Sequence, residues 1–178
     1  MRTAINDIEG ILDAEISLAN VVFEREDITA ASEVLRRISD RIEHGAPEQV
    51  ARAAVVRATL LTRQGRAREG RSVLSPILQR SAEGYGAATG VAIELEEARL
   101  FAALGDMSAA VAKASGVAVR ARTRGLLAFE LEADLVLATI KPIDQTSISR
   151  LIQRARAANF ALIGRKAETL LTTRKPPT

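Results

Sequence analysis

Residues 98–110 read ARLFAALGDMSAA. A Gly-Asp pair interrupts an Ala- and Leu-rich stretch that otherwise favours helix, and small residues stand on either side of it. The Gly-Asp pair ends one helix and starts the next, so the stretch predicts two antiparallel helices. Ala98, seven positions before the turn, and Ala110, five after its first residue, allow the two backbones to approach closely. Bulky Phe101 fills the flank.

The same series recurs. Aligning the turns Glu26-Asp27, Gly65-Arg66 and Gly105-Asp106 gives spacings of 39 and 40 residues. Ala19, Ala58 and Ala98 then share one register position, Ala31, Gly70 and Ala110 a second, and Val22, Leu61 and Phe101 a third. Later in the chain RARTRG (120–125) matches RARAAN (154–159) at an offset of 34, with Gly125 and Asn159 as the left-handed residues. FELEADLVL (129–137) echoes IELEEARLF (93–101) and aligns with IGRKAETLL (163–171), placing Ala133 over Ala167. A fixed period of this length is the signature of stacked helical hairpins.

Apolar spacing predicts nine helical segments: 4–24, 28–44, 47–64, 67–83, 87–104, 107–124, 126–139, 146–158 and 160–173. Gly45 before Ala46-Pro47 predicts a left-handed helix end followed by a proline-started helix. Ser75-Pro76 is expected to kink or break its helix, and Pro142 to block the one ending near 139, with Asp144 or Thr146 as the next N-cap. The expected fold is all-α: about four antiparallel hairpins stacked over residues 1–173, with a C-terminal capping helix. Residues 174–178 form an expected disordered tail.

Composition agrees. Hydrophobic residues make up 47% of the 178, enough for one buried core, while aromatics are only 3%, which disfavours a sheet. There is no cysteine, which excludes disulfides, thiolate metal sites and Cys nucleophiles. The N-terminus lacks the pattern of a secretory signal and no stretch has the length of a membrane span, so a cytoplasmic protein without membrane contact is expected.

The series at 98–110, its copies at 58–70 and 19–31, and the offset of 34 resemble the tetratricopeptide repeat family. The first units are longer than that family's period, aliphatic residues occupy most of its aromatic positions, and its closing proline is missing. The later runs are also similar to degenerate helical repeats beside kinase or DNA-binding domains of large bacterial regulators. The resemblance implies that the hairpins stack as a right-handed solenoid, and that the chain is a non-catalytic adaptor or sensory module that binds a protein or peptide.

The chemistry-bearing residues point the same way. The sole histidine, His44, has no second His or Cys to complete a metal or acid-base site. GYGAATG (84–90) follows a helix, whereas a phosphate loop needs a strand before it. No catalytic, metal or cofactor site is expected. Glu94, Glu96, Glu130 and Glu132 recur at an offset of 36 on first helices of successive units and form a candidate acidic ladder for a basic peptide. Arg120, Arg122, Arg124, Arg150, Arg154 and Arg156 form a candidate arginine ladder on second helices, about 10 Å per step, suited to carboxylates or phosphates.

Charge is uneven. Net charge is −5 over residues 1–45 and +7 over 111–178, against +3 for the chain. An acidic protein partner, a nucleic acid, and head-to-tail self-association into a homo-oligomer are the corresponding expectations. Pairing of these arginines with neighbouring glutamates, or plain solvation, is the alternative.

Overall fold

Small residues at hairpin-facing positions and left-handed residues at the turns give an all-helical chain. The computed structural model describes residues 2–80, 84–141 and 145–173, with the backbone alone for 2–9. Among the described residues there are ten helices and no strand: α1 (Arg2–Glu24), α2 (Ile28–Arg37), α3 (Ser39–Glu43), α4 (Pro47–Arg63), α5 (Ala67–Leu78), α6 (Ala87–Ala103), α7 (Met107–Thr123), α8 (Leu127–Ile140), α9 (Gln145–Ala157) and α10 (Ala161–Thr173). The chain divides into two compact units, 1–96 and 97–178, with the boundary inside α6.

Five hairpin turns share one construction. Glu26, Gly65, Gly105, Gly125 and Asn159 have φ of 66°, 75°, 89°, 69° and 62°. At each, the left-handed residue's N–H donates three residues back and the next N–H donates five back. Gly105 N to Ala102 O is 3.1 Å and Asp106 N to Phe101 O 2.9 Å; Asn159 N to Arg156 O is 3.1 Å and Phe160 N to Ala155 O 2.8 Å. This paired bonding satisfies carbonyls that a helix end leaves open. Asp27 and Asp106 then cap the following helices, accepting from Ala30 N at 2.9 Å and Ala109 N at 3.0 Å. The aligned small residues Ala19, Ala58, Ala98, Ala31 and Ala110 are all fully buried, and Gly70 is buried.

In the first unit α1 packs on α2 and α4, and α4 on α5. Its core joins Leu12, Ile16, Ala19 and Phe23 of α1 to Val34 and Leu35 of α2 and to Ala53, Val56 and Leu60 of α4. In the second unit α7 packs on α8, α9 on α10, and α8 also on both α9 and α10. There Leu131 and Ala138 meet Ile148, Leu151, Ile152 and Ala155 of α9 and Ile163 and Ala167 of α10.

Three sequence expectations need correction. The helix over 28–44 is broken at Ile38, whose side chain is fully buried; Ser39 Oγ donates to Arg36 O at 2.9 Å and competes with the helical ladder there. Gly45 is not left-handed. A Cβ there would crowd its surroundings, standing 3.2 Å from both Gln49 Oε1 and Leu12 Cδ2 and 3.3 Å from Ile42 O. The helix expected over 67–83 stops at Leu78; Pro76 lies inside it and, lacking an N–H, removes one bond of its ladder. Pro142, Asp144 and the tail 174–178 lie outside the described residues, and Thr146, the other N-cap expected there, is instead the second residue of α9.

Candidate functional site

The position five after each left-handed residue holds Ala31, Gly70, Ala110 and Gly164 in four hairpins, and Glu130 in the fifth. Glu130 is therefore a carboxylate at a site otherwise kept small, and it is 5% exposed. A buried carboxylate requires charged donors. Arg122 Nε and Nη2 donate to its Oε1 at 2.9 and 2.8 Å, and Arg154 Nη2 reaches the same oxygen at 2.5 Å. Arg154 Nη1 also donates to Asp134 Oδ2 at 2.9 Å. Side chains from α7, α8 and α9 thus converge on one atom.

Burial pushes the Glu130 carboxyl upward, but hydrogen bonds from Arg122 and Arg154, with their charges, outweigh it and hold it below the ordinary value. Asp134 goes the other way. Burial raises it, Glu130 adds to the rise, and Arg154 offsets only part.

The four candidate glutamates do not form one exposed acidic face. Glu96 is fully buried, accepting from Thr59 Oγ1 at 2.8 Å and Thr62 Oγ1 at 3.4 Å. Glu132 pairs with Arg99 at 2.7 Å. Glu94 is half-buried and has an interaction within the chain. Glu96 and Glu132, one pair at the offset of 36, share a structural use, each joining neighbouring first helices, as Asp13 does earlier in the chain. Asp13 on α1 meets Arg52 on α4 at 2.6 Å, Glu96 on α6 meets Thr59 on α4, and Glu132 on α8 meets Arg99 on α6.

The arginines also divide. Arg122 and Arg154 converge on Glu130, and Arg156 pairs with Glu168 at 2.7 Å. The Arg120 guanidinium lies over Gly116, 3.4 Å from where a Cβ would stand. Arg124 and Arg150 are exposed and make no ion pair with the described residues. Arg122 and Arg156 keep about two thirds of their side-chain surface in water, 65% and 67%, so pairing does not remove them from the surface.

The other candidates are structural. His44 is exposed, with Nδ1 2.8 Å from Asp40 O at the end of α3. The Gly86 N–H at the start of α6 donates to Glu48 Oε2 at 3.0 Å, so the chain's own carboxylate sits where a phosphate would bind in a glycine loop. Among the described residues no group of three or more His, Asp or Glu is placed to hold a metal ion, and no helix is long and apolar enough to cross a membrane.

Sequence reasoning did not single out Asp134, Thr59 or Arg99. Their partners lie 20, 37 and 33 residues away, and only the repeat offset of Arg99 from Glu132 offers a signal. No protein-family model matches the chain, and comparison with curated proteins and with solved structures returned no match.

Proposed function

We propose that this chain is a non-catalytic protein-interaction module of the helical-repeat kind, similar to tetratricopeptide arrays, and that the arginine-bearing surface of its second unit receives an acidic segment of a partner protein. One observation carries the reading. The guanidinium groups of Arg122 and Arg154, gathered on Glu130, remain substantially exposed at 65% and 42% of their side chains, and Arg124 and Arg150 add exposed cations from α7's end and α9. Glu130 holds both guanidiniums and Asp134 takes a second contact from Arg154, yet much of each side chain stays in water, where carboxylates on a ligand reach it. Residues 97–178 carry thirteen Lys and Arg against seven Asp and Glu, so the unit attracts acidic partners at a distance as well. Hairpin repeats present extended surfaces of this kind, and a right-handed solenoid is the arrangement that the resemblance to tetratricopeptide arrays implies.

The test is affinity capture by the intact chain from its native lysate with nuclease present, wild type against Arg124→Glu/Arg150→Glu. These two arginines lie outside the Glu130 network, and unchanged helicity by circular dichroism checks that the variant keeps the fold. A protein retained by the wild type and lost by the variant is expected. Recovery of nucleic acid alone, released as salt rises, would replace this reading with phosphate binding.

A further inference from the structure

Glu130 and Asp134 stand one helical turn apart on α8 and share Arg154, whose Nη2 donates to Glu130 Oε1 and whose Nη1 donates to Asp134 Oδ2. Like charges at that spacing oppose each other. The two carboxylates are not held equally. Glu130 keeps 6% of its side chain in water and is also bonded by Nε and Nη2 of Arg122, whereas Asp134 keeps 27% and accepts from Arg154 alone among the described residues. Two arginines and two carboxylates cancel in charge, so the cluster draws an anion strongly only when one carboxylate gives way. Geometry leaves Asp134 free to do so. Arg150, one turn before Arg154 on the same face of α9, is exposed and makes no ion pair with the described residues, so a cation stands ready beside the contact.

We propose that Asp134 is an internal competitor for Arg154: a carboxylate of the acidic ligand takes over the Nη1 hydrogen bond, and the displaced Asp134 accepts a proton from solvent, so that binding is coupled to protonation. The inference rests on the acidic-partner reading above and adds its regulation. Glu130 keeps both guanidiniums throughout, so α7, α8 and α9 stay joined while one contact is exchanged. The charges acting on Asp134 come from Arg154 of α9, Glu130 of its own helix and Arg122 of α7. Elsewhere on the helices packed against α8, Lys113 of α7 is held by Glu97 and Arg156 of α9 by Glu168 of α10, each at 2.7 Å; on α10 Arg165 is exposed and Lys166 has an interaction within the chain. Burial already raises the Asp134 carboxyl, and Arg154 offsets part of that rise. Losing this contact and gaining a second anionic neighbour carries the carboxyl further up. Affinity therefore rises as pH falls through the value the carboxyl has in the complex, and levels off below the lower value it has in the free chain.

Titration calorimetry of the full chain with an octa-aspartate peptide tests it, between about pH 8 and about pH 5.5, where the peptide stays ionised. Wild-type affinity should rise toward acid by up to about tenfold per pH unit, with uptake of up to about one proton, read from the heats in two buffers of different ionisation enthalpy. Asp134→Asn, with helicity unchanged by circular dichroism, should bind about tenfold tighter at the alkaline end and lose most of the proton uptake. Any acid response from other carboxylates is common to both proteins. Binding that Arg124→Glu/Arg150→Glu abolishes, but that takes up no proton and is the same in Asp134→Asn, would leave the acidic-partner reading standing and overturn the displacement. A peptide that neither protein binds would overturn both. Should Asp134→Asn fail to fold, the wild type decides alone, since absence of proton uptake across the whole range is incompatible with the exchange.

Discussion

Arg154 Nη2 stands 2.5 Å from Glu130 Oε1, joining α9 to α8 at the one hairpin position where a small residue gives way to a carboxylate. Arg122 reaches the same oxygen from α7. The charge network therefore does structural work in the second unit that small-residue packing does at the corresponding places elsewhere. It also fixes how the exposed arginines are presented.

Acid titration should expose this role. The Glu130 carboxyl is held below its ordinary value of 4.5, so the folded state favours its ionised form. Its contribution is present above that value and is lost as pH falls through the lower folded one. Denaturant midpoints measured between pH 7 and pH 3 should show Glu130→Gln less stable at pH 7, by about 1–3 kcal/mol, with the deficit shrinking in acid. A deficit independent of pH would contradict the assignment.

Asp134 should show the opposite sign. Its carboxyl is raised in the folded state, so the stability it contributes is present below the unfolded value and lost as pH rises through the folded one. Asp134→Asn is accordingly expected to gain stability at pH 7 and to match the wild type near pH 3. Thermal unfolding at the two pH values distinguishes this from simple loss of the Arg154 contact, which would destabilise at pH 7.

The hydroxyl contacts of buried Glu96 differ in length, and their removal should differ in cost. Thr59→Val deletes a 2.8 Å donor to a buried carboxylate and should destabilise by about 2 kcal/mol. Thr62→Val deletes one at 3.4 Å and should cost clearly less. Equal effects in urea unfolding would show that the shorter contact carries no special weight.

Turn chemistry gives a further prediction. Glu26 holds a left-handed conformation that glycine adopts freely, so Glu26→Gly should stabilise the chain by about 1 kcal/mol. Gly105→Ala, at φ 89°, should destabilise by a similar amount. Gly164→Ala meets only Arg156 Cγ at 3.8 Å and Ala155 Cβ at 3.9 Å, ordinary contact inside a helix, and should stabilise by about 0.5–1 kcal/mol. Melting temperatures of the three variants check both signs at once.

The sequence by itself determined most of the helices and where the five hairpins turn. Gly125 and Asn159 were legible as left-handed ends, and the turns at Glu26, Gly65 and Gly105 as breaks between helices, because capping and apolar period act within a few residues of one another. The buried small positions followed from the repeat. What the tertiary structure decided was the use of charge. Glu130 and Glu96 resemble solvated glutamates in sequence, and their burial depends on whether Arg122, Arg154 or Thr59, many residues distant, arrives at the same point. Gly45 likewise reads as a turn residue, yet it has no left-handed conformation and lies in tight quarters against Leu12 and Gln49. Local backbone preference is written residue by residue, whereas desolvation and ion pairing are properties of neighbours that only folding brings together.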